Sequence, residues 1–286
     1  MLLHYFGTIS CFVSILCSFF IIIHFSCAIK RFALFKTTTL INRMQIYLSI
    51  MDIMINLFHG LDHFYQILHK QSLDSISCQF IGFLVGVALN SLGILSCIVS
   101  VSSFLMVVLN KKLLFWKFDV VVWSLGLVIP IVMHIIAWSQ QWIGYNGNWC
   151  HINPDLQRII LINLLYGGFF MWLNFLFSLI CYSAIIGKLI TSSMRLKRLL
   201  NENLSRTNNI DIKKKLTVRF LIFILALFIQ WLPLSIFWII QMAGQYETPL
   251  WLNLMVVLFT NTGGIINLLY YLTFRRQKVY TTSSGV

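Results

Sequence analysis

Asp52 is the only carboxylate near the middle of any long apolar stretch in this sequence. Holding a charge at such a depth in a membrane costs roughly 2.5–3.5 kcal/mol on insertion scales, so the side chain must face other protein. Its residue type suits an ion or proton site, or a polar hub whose contacts change between two states. It also suits a protonated or hydrogen-bonded packing residue. Partners of the right kind stand far along the chain, where Asn261, Asn267 and Tyr271 share one apolar stretch with Gly263-Gly264. Asn267 and Tyr271 are four residues apart and so lie on one helical face. The glycine pair permits close helix approach or a local kink. Upstream, Trp231-Leu232-Pro233 places a proline two residues after a bulky ring. Proline removes a backbone hydrogen bond and bends a helix. A bend beneath Trp231 provides a hinge; the plain alternative is an ordinary kinked membrane helix. His134 stands alone in its stretch, and no nucleophile–base pair or metal-ligand cluster falls inside the apolar segments. The sequence therefore predicts no enzyme, no metal and no cofactor. Retinal needs a lysine within the bundle for its Schiff base, and no apolar stretch holds one in its interior.

The elements that must position these residues are membrane helices. Hydrophobic residues make up 59% of the 286 and charged ones 10%, with a mean hydropathy of +0.84. A soluble domain could not hide so much apolar surface. Seven stretches reach the roughly 20 residues that cross a hydrocarbon core: about 5–29, 43–67, 78–109, 119–139, 158–187, 216–243 and 251–274, leaving a tail over 275–286. Period-two alternation is absent and each stretch is too long for a membrane strand, which argues against a barrel. The apolar run after Met1 continues to about Ala28 and meets Lys30-Arg31, the pattern of a retained first helix.

The formal charge of +13 is placed by topology. Nineteen of the 21 basic residues fall in the loops after stretches one, three and five and in the tail; Lys70 and Arg158 lie opposite. Under the positive-inside rule the N-terminus is outside and the C-terminus inside. The loop from Lys188 to Arg219 is the most basic, with Arg195, Lys197, Arg198, Lys213, Lys214 and Lys215. Attraction to anionic lipid, about 1 kcal/mol per basic residue near the surface, accounts for such a loop without nucleic acid. The sequon at Asn203 falls on this inner side and is expected to stay unglycosylated. Cys78 and Cys150 both face the oxidising side, where disulfides persist, and a bridge between them would pin the loop after stretch four across the bundle. Cys11, Cys17, Cys27, Cys97 and Cys181 fall within stretches as packing residues.

By helix count, orientation and loop cysteines, the chain resembles G-protein-coupled receptors over nearly its whole length. Leu48-Ser49-Ile50-Met51-Asp52 looks like the second-helix Leu-x-x-x-Asp motif of rhodopsin-like receptors. Gln230-Trp231-Leu232-Pro233 is similar to their Cys-Trp-x-Pro switch, with Gln in the Cys place. Asn267-Leu268-Leu269-Tyr270-Tyr271 looks like Asn-Pro-x-x-Tyr without its proline, and Tyr182 sits where the fifth helix carries an inward-reaching Tyr. Asn148-Trp149-Cys150-His151-Ile152 resembles the Trp-Cys-Trp-Ile loop of the cyclic-AMP-receptor-like group of amoebae and fungi. The pattern also departs from the family. Ser102-Ser103-Phe104 occupies the place of Asp-Arg-Tyr, and the usual Asn of the first helix is missing. Gly263 and Gly264 offer no side-chain oxygens, which argues against a sodium site at Asp52.

The resemblance implies a plasma-membrane receptor. Its activation switch would comprise Asp52, Tyr182, Trp231, Pro233, Asn267 and Tyr271. A heterotrimeric G protein would bind on the basic face as helix six moves outward. The default ligand site is an outer cavity between helices, for which His59, Asp62, His63, Asn90, Trp238, Gln241 and Asn261 are the candidates by position. Few charges stand there, so the ligand expected is small and weakly charged rather than an anionic cyclic nucleotide. The alternative function is a transporter or ion carrier using Asp52.

Overall fold

In lipid, each backbone N–H and C=O must be paired within its own segment, and long runs of Leu, Ile, Phe and Val therefore form helices. The computed structural model describes residues 1–28, 40–111, 119–153, 162, 166, 168–199, 207–243 and 248–275. Within them α1 spans Leu2–Ala28, α2 Leu40–His69, α3 Ser75–Val107, α4 Val120–Ser139, α5 Gly168–Leu199 and α6 Thr207–Met242. Two shorter helices, α7 (Leu250–Thr260) and α8 (Gly263–Arg275), meet at 43° and together make one broken span. The seven-helix bundle thus comprises α1 to α6 and the α7–α8 pair. Arg195, Lys197 and Arg198 fall in α5 and Lys213, Lys214 and Lys215 in α6, but their side chains lie outside the described residues. Arg158, Asn203 and the tail from residue 276 lie outside them too.

α3 is the axis. Of its most apolar window 78% is buried, against 33% for α1 and 28% for α4 and α5, because α2, α4 and α5 all pack on it. α1 packs on α2 and on the α7–α8 pair, and α6 joins α5 to α7. The core between them is aliphatic and aromatic, with Met51, Leu95, Phe237 and Val257 almost fully enclosed. Phe12, Ile23, Ile135, Ile180 and Leu225 point outwards and exposed, a pattern that lipid solvates and water does not.

Two local features shape the bundle. A π-helical turn over Ser124–Val128 interrupts α4 just before Pro130. Pro130 has no N–H to donate, and the wider turn takes up the mismatch. At the end of the bundle beyond α4, the chain forms a hairpin of β1 (Ile143–Tyr145) and β2 (Cys150–Ile152), with Gly144 opposite His151. The Asn146 side chain closes its turn by accepting from the N–H groups of Asn148 and Trp149 at 3.1 and 3.0 Å. Gly147 supplies the positive φ of +96° that the turn requires.

Candidate functional site

The polar groups of the sequence gather at three levels. The middle one is a hub around Asp52, which is 2% exposed. Asn267 of α8 donates from Nδ2 to Asp52 Oδ2. Gly263, one turn earlier on the same helix, leaves no room for a side chain: a Cβ there would collide with Asp52 Oδ1 and crowd the Gln230 amide of α6. The absence of a side chain at Gly263 is thus what lets three helices bring polar groups together. Alongside, Asn56 donates from Nδ2 to Ser14 Oγ at 3.2 Å, and the Gly264 N–H donates to the same hydroxyl at 2.9 Å. Ser14 thereby ties α1 to α2 and α8, a contribution from a residue type that the sequence reading passed over.

The remaining switch candidates are dispersed. Trp231 lies in the main core, and its carbonyl accepts from the Ser235 hydroxyl at 2.8 Å. Pro233 stands inside α6, which runs on to Met242. Tyr182 is 1% exposed and packs with Ile185, Leu189, Phe104 and Tyr270. Tyr271 bonds to His24 of α1 at 2.7 Å, away from the hub. Beside Trp231 a crevice opens between α3, α5 and α6, lined among others by Ser96, Asn174, Phe175 and Leu232.

At the hairpin end, Cys78 and Cys150 form a disulfide across 72 residues with Cα atoms 5.2 Å apart. It fastens β2 to the first turn of α3, and Asp62 of α2 holds the other side. The carboxylate of Asp62 accepts from the Cys150 N–H at 2.9 Å and from Gln66 Nε2 at 3.0 Å. Beneath the hairpin lies a small cavity lined by Ile55, His59, Val85, Leu89, Trp149, His151, Leu234, Trp238, Val256 and Thr260. None of these described residues is Lys, Arg, Asp or Glu. Of the seven ligand candidates, His59 and Trp238 line this cavity. Asp62 and His63 are fully buried between α2 and its neighbours, Asn261 accepts from His59 at 3.0 Å, and Asn90 and Gln241 are buried elsewhere.

Trp149 and His151 are the lining residues from outside the helices, which ligand-site reasoning by helix position missed. The loop that carries them was conspicuous only as a motif. His151 stacks on Trp238 with ring centroids 5.9 Å apart. Burial, helped by the imidazoles of His134 and His59, pushes its pKa down to about 3, so it is neutral at physiological pH. Burial likewise raises the pKa of Tyr145, whose hydroxyl donates to the Gly147 carbonyl at 2.7 Å.

The third level lies at the opposite end, where α2 begins and α4 starts. Arg43 reaches Asp119 with two parallel bonds, Nε to Oδ2 at 2.7 Å and Nη2 to Oδ1 at 2.8 Å, and Tyr47 donates to Oδ2 at 2.7 Å. Asp119 is 1% exposed. Paired, forked bonds of this kind are the strongest that side chains make. Arg43 read as topology and Asp119 carried no signal, because their contact spans 76 residues.

Comparison with known proteins agrees with this architecture. A family model described as the seven-transmembrane receptors of the rhodopsin family matches residues 32–270. Among solved structures, the crystal structure of squid rhodopsin superposes with a TM-score of 0.70 over 94% of this chain and 80% of that one. Sequence identity in that superposition is 16%, a likeness of fold. Comparison with curated protein sequences finds no match. The family is one of receptors and not of enzymes, and with its model covering most of the sequence, the chain belongs to the rhodopsin family of seven-transmembrane receptors.

Proposed function

We propose that this protein is a plasma-membrane receptor with its hairpin end outside. It binds a small, weakly charged ligand beneath the hairpin and activates a heterotrimeric G protein at the opposite, basic end. The orientation rests on the positive-inside rule and on the disulfide, which belongs on an oxidising side. The observation that carries the reading is the cavity wall. Leu234 and Trp238 of α6 line it, and both lie on the helical face of Trp231, three and seven residues away. A ligand in this cavity touches the helix that must move. It also meets a lid of Trp149 and His151, neutral groups that suit an apolar or weakly polar molecule.

Activation is then a population shift: the ligand favours a conformer in which α6 opens at the basic end about Pro233. The hub at Asp52, Asn267 and Gln230 is the polar contact set that rearranges with α6 and α8. Family membership favours this over a carrier working through Asp52.

The test is nucleotide exchange on co-expressed heterotrimeric G proteins, stimulated by a panel of sugars, lipids and short peptides. A stimulus lost in Trp238→Ala and altered in Asp52→Asn, with surface expression kept, is the expected result. A stimulus that survives Trp238→Ala and His151→Ala at full potency would remove the cavity from the mechanism. Solute uptake without nucleotide exchange would replace the receptor with a carrier.

A further inference from the structure

We propose that the row His4–His63–His59, which runs from the hairpin-end surface to the ligand cavity, is a proton-binding site and that extracellular protons are a second ligand of this receptor. The proposal rests on the receptor reading above for its readout and on the orientation for which protons reach it.

The geometry makes the row continuous. His4 of α1 is partly exposed and borders a wide recess with Met1, Gln66, Lys70 and Tyr145. Its Nδ1 meets Nδ1 of His63 at 3.0 Å. The His63 and His59 rings follow with centroids 4.5 Å apart, and His63 is fully enclosed. His59 Nδ1 lies 3.0 Å from Asn261 Oδ1, at the end of α7, and the same ring walls the ligand cavity. A charge placed at the rim is therefore felt, through successive ring contacts, at the cavity wall and at the broken span.

The bonding places the open sites. A contact between two imidazole Nδ1 atoms exists only when one carries hydrogen and the other a lone pair. A second proton on the pair abolishes the acceptor and turns the bond into a repulsion. At the inner end, a carboxamide oxygen can only accept, so His59 donates from Nδ1, and its neutral ring bears a lone pair on Nε2. His59 Nε2 and His63 Nε2 are buried without a hydrogen-bond partner among the described residues. No group of three His, Cys, Asp or Glu among those residues is arranged to hold a metal ion.

The charges facing the row come from three elements. α1 brings the amino group of Met1, α2 brings Asp62 and, at the recess, Lys70, and the hairpin brings His151 and Tyr145. From α7 the row meets only the neutral Asn261. Asp62 is the one anion among these described groups, and it is already bonded to the Cys150 N–H and Gln66. It can offset one added proton, not two or three. Charging the row therefore sets like charges on α1 and α2 against each other and forces the two helices apart, while the His59–Asn261 bond, in which Nδ1 already donates, is kept. The closed arrangement is held above the imidazole range near 6.5 and given up as pH falls through it, so acid favours the signalling conformer.

The experiment uses the full chain in lipid nanodiscs between pH 8 and 5, with thermal transition and G-protein nucleotide exchange read on the same samples. Wild type, His4→Gln and His63→Gln are compared, with His69→Gln, an exposed histidine at the end of α2 outside the row and the cavity, as the control. His4→Gln, at the partly exposed rim, serves if His63→Gln fails to fold. The expected result is a wild-type Tm that falls by about 3 °C or more across the imidazole range, with exchange rising over the same interval. Both dependences should be flattened in His4→Gln and His63→Gln and kept in His69→Gln. Tm curves in His4→Gln and His63→Gln that track the wild type would overturn the proposal, as would measurable nucleotide exchange that stays constant from pH 8 to 5. A row-dependent Tm with no exchange under any stimulus would keep the proton site and sink the receptor reading instead.

Discussion

Asp52 and Asp119 are both buried carboxylates, and the bundle holds them in opposite ways. Asp119 receives two bonds from Arg43 and one from Tyr47, so its charge is matched by a cation in forked geometry. Asp52 sits at mid-bundle with one side-chain bond, from the Asn267 amide, and with the Gln230 amide nearby, whose Nε2 has no partner among the described residues. A buried ion pair is costly to break from one side, because the partner is left charged in a dry place. An amide-bonded carboxylate has neutral partners that lose little by turning elsewhere. The first arrangement clamps α2 to the start of α4. The second can change hands, as the proposed mechanism asks of the hub.

Substitutions separate the two. Asp119→Asn strands Arg43 and should cost about 3–5 kcal/mol, read as a lost thermal transition or lost surface expression. The double variant Arg43→Met with Asp119→Leu should recover most of that loss. Recovery failing would mean that the pair works by shape and not by charge. Next, Gly263→Ala forces a Cβ against Asp52 and the Gln230 amide, with an expected cost of about 1–3 kcal/mol for overpacking. Asp52→Ala should relieve it in the double variant, and an undiminished cost would place the strain outside the hub. Asn267→Ala removes the one described bond to the Asp52 carboxylate, for about 1–3 kcal/mol, and should alter nucleotide exchange at preserved expression. The smallest stability effect belongs to Asp52→Asn, within about 1 kcal/mol because an isosteric amide replaces a carboxylate bonded to an amide. Exchange should still change. A loss as large as that of Asp119→Asn would break the comparison and assign Asp52 an ionic partner.

Much of the fold was legible. Apolar length specifies membrane helices without tertiary information, since lipid leaves the backbone no other way to pair. The likeness of Asp52 to a hub residue and of Asn267 to its partner came from residue type, and the two side chains do meet. The pairing of Cys78 with Cys150 could be expected because both fall on one side of the membrane. Other features carried no local signal. The hairpin has strands of three residues, too short for alternation to register. The 43° bend between α7 and α8, by contrast, falls beside Gly263-Gly264, the pair read as permitting a local kink. His59 and His63 were read as ligand candidates and His4 drew no attention, and their row exists only because α1 lies along α2.

What the sequence by itself determined is therefore the medium, the number of crossings and the chemical character of the residues sent into the bundle. Those follow from hydropathy and residue type, which are properties of each segment alone. The tertiary structure decided which of those residues touch: Arg43 with Asp119, Asn267 with Asp52, His4 with His63, and the hairpin with the cavity beneath it. Such contacts join residues tens to hundreds of positions apart, and only helix packing brings them within bonding distance.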